Sequence, residues 1–134
     1  MNIDNLFQNF CKKNNLEINS SQLTVIEELK SYYKLNFNKS ILNKFFSKNN
    51  SRLAFYLHGG VGVGKTMILN FFFDLVEEKK LRQHFNEFML RFHDFAHERK
   101  ENNEENIINQ FVKDLKFKTK LIYFDEFQVT NIVD

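Results

Sequence analysis

The stretch LAFYLHGGVGVGKTMIL, residues 53–69, decides how this chain is read. Its first five residues form an apolar run of strand length, and an apolar-rich segment of helical length continues from Lys65 through Glu78. Between them stand Gly59, Gly60, Val61, Gly62, Val63, Gly64, Lys65 and Thr66, which fill G-x-x-x-x-G-K-T without adjustment. Strand, glycine loop and helix are expected in that order. Glycine lets the backbone turn tightly and aim successive amides inward, as a nest of donors around a β-phosphate. The helix opening near Lys65 adds unpaired amides and the positive end of its dipole. Lys65 supplies a point charge for the β- and γ-phosphates, and the Thr66 hydroxyl a ligand for Mg2+.

A second block, LIYFDEF at residues 121–127, sets four apolar residues before Asp125 and Glu126. A buried parallel strand with carboxylates at its C-terminal end has this form. Asp125 suits a magnesium ion held through coordinated water, and Glu126 suits polarising a water for attack on the γ-phosphate. Alone, such a pair reads equally well as a solvated strand end. Combined with the glycine loop it completes the donor set of a magnesium-dependent nucleotide site. Asp94 and Asp114 fall within helical patterns, and Asp74 lies on the helix after the loop.

Around these blocks the apolar spacing alternates between helix and strand. Leu23, Ile26, Leu29 and Tyr33 mark an amphipathic helix over residues 19–33, with Asn19 as cap and Gln22 three residues on. Phe37, Ile41, Leu42, Phe45 and Phe46 repeat the helical spacing before SKNNS breaks it. Residues 83–85 end a short strand, and Phe88, Met89, Phe92, Phe95 and Ala96 line a helix over 87–99 that Asn86 caps. KENNEEN reads as a solvated turn, after which Ile107, Ile108, Phe111, Val112 and Leu115 resume helical spacing and 121–124 forms a strand. Alternation of this kind predicts an α/β fold, a parallel sheet with helical crossovers, rather than a bundle or a sandwich.

Composition narrows the function classes. The chain of 134 residues fits one domain or a piece of one, and 43% hydrophobic with 27% charged residues is the balance of a globular protein. Seventeen Phe and no Pro suggest codon bias more than mechanism. A formal net charge of +2 demands neither nucleic acid nor an anionic membrane as partner. Arg91, Arg99, Lys100, Lys113, Lys116, Lys118 and Lys120 are interspersed with acids and form no continuous basic stripe. Cys11 is the single cysteine, so no intrachain disulfide can form. No run approaches the about 18 apolar residues of a transmembrane span, and the N-terminus lacks signal-peptide organisation, making a cytoplasmic location the default expectation.

Several histidines invite a catalytic reading. His58 precedes the loop and more simply shapes the chain entering it. His93 and His97 sit one helical turn apart in HDFAH, which departs from H-E-x-x-H and has no identifiable third ligand. Arg82 and His84, near a strand end, read either as contacts coupling the nucleotide site to a partner or as solvent-facing polar residues at a sheet edge.

The loop YLHGGVGVGKT, the segment HFNEFMLRFH and the terminus FDEFQVTNIVD together resemble the AAA-type ATPase family that contains the bacterial cell-division protein ZapE and its mitochondrial relatives. The likeness runs over residues 53–134. It implies a P-loop NTPase fold and magnesium-dependent ATP hydrolysis coupled to work on protein partners, the division-ring protein FtsZ in the bacterial branch and protein quality control in the mitochondrial one. A homo-oligomeric full-length form is also implied. By that resemblance residues 59–66 bind ATP, Lys65 and Glu126 are catalytic, and Thr66 and Asp125 hold Mg2+. His84, Phe85, Phe88, Met89 and His93 match the family's histidine and aromatic segment. Val63 stands in place of Arg, Asn70 in place of an acid and Asn131 in place of Asp, and none of the three removes a phosphate or magnesium ligand.

The resemblance divides the chain into an N-terminal helical segment, 1–50, and a partial P-loop ATPase domain, 51–134, truncated after the acidic strand. The family continues with a sensor strand, an arginine finger and a second sensor. The expectation is therefore an N-terminal piece of poor solubility and feeble turnover. The alternative is a degenerate chain that binds nucleotide or a partner without hydrolysis. A P-loop kinase or GTPase shares the loop and stands third.

Overall fold

The computed structural model describes residues 2–37, 53–59, 64–99 and 103–127. The chain divides into two compact units, residues 1–74 and 75–134.

The first unit is built on helices α1 (Ile3–Lys13), α2 (Ser20–Phe37) and α3 (Lys65–Leu75). Helix α1 carries Ile3, Phe7 and Cys11 as a stripe one turn apart, all buried, and Asn2 caps it by accepting from the Asn5 amide at 3.3 Å. Burial pushes the Cys11 thiol above its usual range, as expected of a core cysteine. Asn15 then takes a left-handed φ of 51°, which Asn tolerates better than most residues, and turns the chain toward α2.

Helix α2 starts on a reciprocal cap. The Gln22 amide donates to Asn19 Oδ1 at 2.9 Å, and the Asn19 amide donates to Gln22 Oε1 at 3.1 Å. The pairing expected from the spacing is thus present, and the helix extends to Phe37 where the sequence reading stopped at Tyr33. Ile26, Leu29 and Tyr32 face the core, and Lys30 donates to Asp4 of α1 at 2.5 Å. Phe71 meets Phe7 edge-on at 5.2 Å, and Phe72 meets Tyr32 at 6.0 Å, so α3 presents its aromatic side to both earlier helices. Helix α3 ends at Leu75, short of the expected Glu78.

Residues 53–57 correct the sequence reading: they are not part of a strand. An apolar run becomes a strand only where a neighbouring edge offers ladder partners, and here Leu53 and Tyr56 are 79% and 68% exposed. The run is instead tethered by side chains. Phe55 packs edge-on to Tyr32 at 6.2 Å, and the Tyr32 hydroxyl donates to the Leu53 carbonyl at 3.5 Å. Ile41, Leu42, Phe45 and Phe46 lie outside the described residues.

The second unit runs β1 (Lys80–His84), α4 (Phe85–Glu98), α5 (Glu104–Lys118) and β2 (Leu121–Asp125). Among the described residues the sheet has these two strands. They are parallel, with Lys80 opposite Leu121, Arg82 opposite Tyr123 and His84 opposite Asp125. Two helices between parallel strands give the expected crossover.

The first strand, Lys80–His84, ends within residues 83–85 as expected, and two boundaries differ from expectation. Helix α4 begins directly at Phe85 with His84 as cap residue, in an extended conformation and without a side-chain cap bond, so Asn86 is inside the helix. The KENNEEN turn is shorter than read, because Asn103 caps α5 by accepting from the Asn106 amide and draws Glu104 and Glu105 into its first turn. Phe111 of α5 is the hub of this unit. Phe88, Phe92 and Phe95 of α4 meet its ring at 5.5, 5.2 and 5.1 Å, and Phe88 also packs on Phe124 of β2 at 4.8 Å.

Candidate nucleotide site

The described ends of the glycine loop show what its sequence demands. Gly64 has φ +76°, in the left-handed region that L side chains avoid, and Gly59 has φ 151°. A Cβ added at Gly64 would stand 2.8 Å from Gln22 Nε2, so that side-chain end would have to shift, while the backbone conformation itself disfavours a side chain. Immediately afterwards α3 begins at Lys65, and the Ile68 amide closes its first turn on the Gly64 carbonyl. The opening amides of α3 are therefore presented to the loop. Gly60, Val61, Gly62 and Val63 lie outside the described residues.

Lys65 donates from Nζ to the Gly59 carbonyl, spanning the loop from its last residues to its first. The ammonium is thereby held at the residue that opens the loop. Backbone donors at a helix N-terminus, with a cation on the first helical residue and a preceding residue without Cβ, suit a phosphate chain. Thr66 is exposed on the first turn of α3, where its hydroxyl can face solvent or an ion. His58 stacks on Tyr56 at 5.9 Å with 28° between the rings, a contact that shapes the chain entering the loop. Asn70 carries a buried Oδ1 without a partner. A carboxylate at that depth would add a desolvated charge, and the amide avoids that cost.

The acidic strand end is held differently. Asp125 is the last residue of β2, and Arg82 of β1 grips it with both arms of its guanidinium, Nε to Oδ2 at 2.7 Å and Nη2 to Oδ1 at 2.9 Å. The register explains the fork: Arg82 lies opposite Tyr123, and Tyr123 and Asp125 share one face of the strand. The guanidinium also sits 4.7 Å from the Tyr123 ring centroid. The hydrogen bonds from Arg82 hold the Asp125 carboxyl below the usual carboxylate range against the opposing effect of burial. Burial raises the Tyr123 phenol, and the Asp125 charge adds to that.

Asp125 is therefore ionised, as a metal ligand must be, and each oxygen keeps a lone pair beyond the one Arg82 uses. Glu126 follows at φ 51°, a left-handed conformation unfavourable for a residue with a long side chain, and is exposed. Lys65 and Thr66 belong to the first unit, and Asp125 and Glu126 to the second.

Sequence reasoning left Arg82 open between a coupling contact and an edge residue. Its fork to Asp125 follows from strand register, which single-chain periodicity does not supply. Gln22 was read only as a cap partner, and its position beside Gly64 had no sequence signal at all.

A glycine-rich stretch at the head of a helix, and a helical crossover between parallel strands, fit the P-loop class of α/β fold. The family model for AFG1-like ATPase matches residues 5–134, and the chain belongs to that family. It is 37% identical over 98 residues to lactation elevated protein 1 homolog B of Danio rerio, covering 66% of this chain and 20% of that protein. It is 40% identical over 82 residues to the cell division protein ZapE of Escherichia coli K12, covering 59% of this chain and 21% of the relative. A Schizosaccharomyces pombe protein, C115.02c, is 31% identical over 84 residues, with 59% and 18% covered. The chain thus spans about a fifth of the length of the curated relatives it matches. No solved structure gives a significant match. Among the described residues no helix is long and apolar enough to cross a membrane.

Proposed function

We propose that this chain binds ATP with Mg2+ through residues 59–66 and carries the catalytic front of an AAA-type ATPase that does work on a protein partner. The observation that carries the reading is the left-handed Gly64 at the head of α3, with Lys65 reaching back to the Gly59 carbonyl. In this reading the loop amides and Lys65 bind the phosphates, and Lys65 offsets charge that develops on them during transfer. Thr66 and Asp125 hold Mg2+, which when bound neutralises phosphate charge. Glu126 accepts a proton from the attacking water. A cytoplasmic setting, a homo-oligomeric assembly and a partner such as FtsZ belong to the proposal, supported by family membership and by a relative that is named for cell division.

A second reading, binding without hydrolysis, is favoured by one observation: Arg82 occupies both oxygens of Asp125. Calorimetric titration of Mg·ATP followed by a phosphate-release assay separates the two. Binding lost in Lys65→Ala, with release lost in Glu126→Gln, supports the enzyme. Binding without release in the unaltered chain supports the second reading, and absence of binding removes both.

A further inference from the structure

The fork between Arg82 and Asp125 lies wholly within the second unit and joins the third residue of β1 to the last residue of β2. Arg82 stands opposite Tyr123 in the parallel register, and Asp125 follows on the same face, so the backbone brings guanidinium and carboxylate together. Nε and Nη2 engage different carboxylate oxygens, at 2.7 and 2.9 Å, and both oxygens therefore face a delocalised positive charge. Each oxygen keeps a further lone pair, so geometry leaves room for a metal ion. Charge opposes one: a divalent cation on either oxygen would stand close to the guanidinium, and like charges at that range repel. The fork is also able to open. The Arg82 and Asp125 side chains are 38% and 21% exposed, and a pair so open to solvent is weakly held. The Tyr123 ring, with its centroid 4.7 Å from the guanidinium, offers that cation a second resting place on the same face.

We propose that Arg82 is a latch on Asp125, holding the carboxylate until a divalent cation binds there and displaces it, so that guanidinium and metal compete for one acid. The proposal rests on the reading of Asp125 as a magnesium ligand above. Arg82 is in these terms a positioning residue: it keeps the carboxylate ionised and oriented in the metal-free chain, and it raises the cation concentration needed to fill the site. Because strand register fixes both residues, the guanidinium returns when the cation leaves. A lysine in its place would present a point charge and lose the fork.

The test uses the 134-residue chain with Mn2+ alone as the probe, its free concentration read by electron paramagnetic resonance. Arg82→Gln keeps a polar side chain without the charge, Arg82→Ala removes both, and circular dichroism establishes that each variant is folded. Both variants should bind Mn2+ about threefold or more tightly than the unaltered chain. In an Asp125→Asn background the same substitutions should change nothing, because the acid under competition is gone. In NMR spectra of the unaltered chain the Arg82 Nε–H signal should move when Mg·ATP is added and stay in place with ATP and a metal chelator. Unchanged or weaker Mn2+ binding in both folded Arg82 variants overturns the proposal, as does a gain that survives Asp125→Asn. An Nε–H signal that stays in place while Mg·ATP binds overturns the latch and leaves the ATP reading standing. If Mg·ATP binds neither the unaltered chain nor the Arg82 variants, the ATP reading itself fails and this one with it.

Discussion

The two candidate regions, the glycine loop in the first unit and the acidic strand end in the second, are built on opposite principles. At the glycine loop the geometry resides in the backbone: Gly64 at φ +76°, amides at the head of α3, and a lysine that reaches across to a main-chain carbonyl. At the acidic strand the geometry resides in side chains: Arg82 forks Asp125, and a set of phenylalanines supports the strand from behind. A backbone site fails through substitutions that add atoms or remove conformational freedom. A side-chain site fails through substitutions that take atoms away.

The sharpest way to break the side-chain end is Phe111→Ala. Three α4 rings meet that side chain, and losing a buried Phe costs about 3–5 kcal/mol, so urea unfolding should show a cooperative loss of that size. A loss under about 1 kcal/mol would mean that the aromatic cluster is not what holds β2.

Adding a single methyl tests the backbone end. Gly64→Ala forces an L residue into the left-handed region, a strain of about 1–2 kcal/mol, and drives Gln22 Nε2 aside. A lower melting temperature and at least about tenfold weaker ATP binding should appear together. Unchanged binding would show that the loop is not defined by its main chain.

Arg82→Ala sharpens the contrast through pH. Arg82 depresses the Asp125 pKa in the folded chain, so the pair adds stability that is present above the unfolded value of about 3.9 and is lost as pH falls through the folded value. With the fork partly in solvent the contribution is below about 1 kcal/mol. In the variant, NMR titration should move the Asp125 carboxyl up toward its ordinary range, and acid unfolding should lose part of its dependence between pH 4 and the folded value. If the carboxyl does not move, the fork is absent in solution.

The smallest effect concerns the one backbone feature of the side-chain end. Glu126→Gly relieves the left-handed strain of about 1–2 kcal/mol but adds about 0.4–1 kcal/mol of unfolded-chain freedom, leaving a net gain of roughly 0.5 kcal/mol. A slightly higher melting temperature with loss of phosphate release would show that strain is kept at Glu126 for function. A decrease in stability would assign Glu126 a structural contact instead.

What the sequence determined is what local chemistry determines. All four glycines of the chain fall within residues 59–64, so the loop could be read directly, and the apolar run into Asp125 gave β2 to within one residue. The Asn19 and Gln22 cap was legible because both partners lie in one turn. Helix α1 was legible too, through Ile3, Phe7 and Cys11 one turn apart, although that stripe went unread. Tertiary structure alone decided the rest. Whether residues 53–57 form a strand depends on a neighbouring edge, the Arg82 fork depends on how β1 and β2 align, and the aim of Gln22 at Gly64 depends on α2 packing beside the head of α3. Periodicity reports which face of an element is apolar, but a contact between elements distant in sequence is fixed only when their surfaces meet.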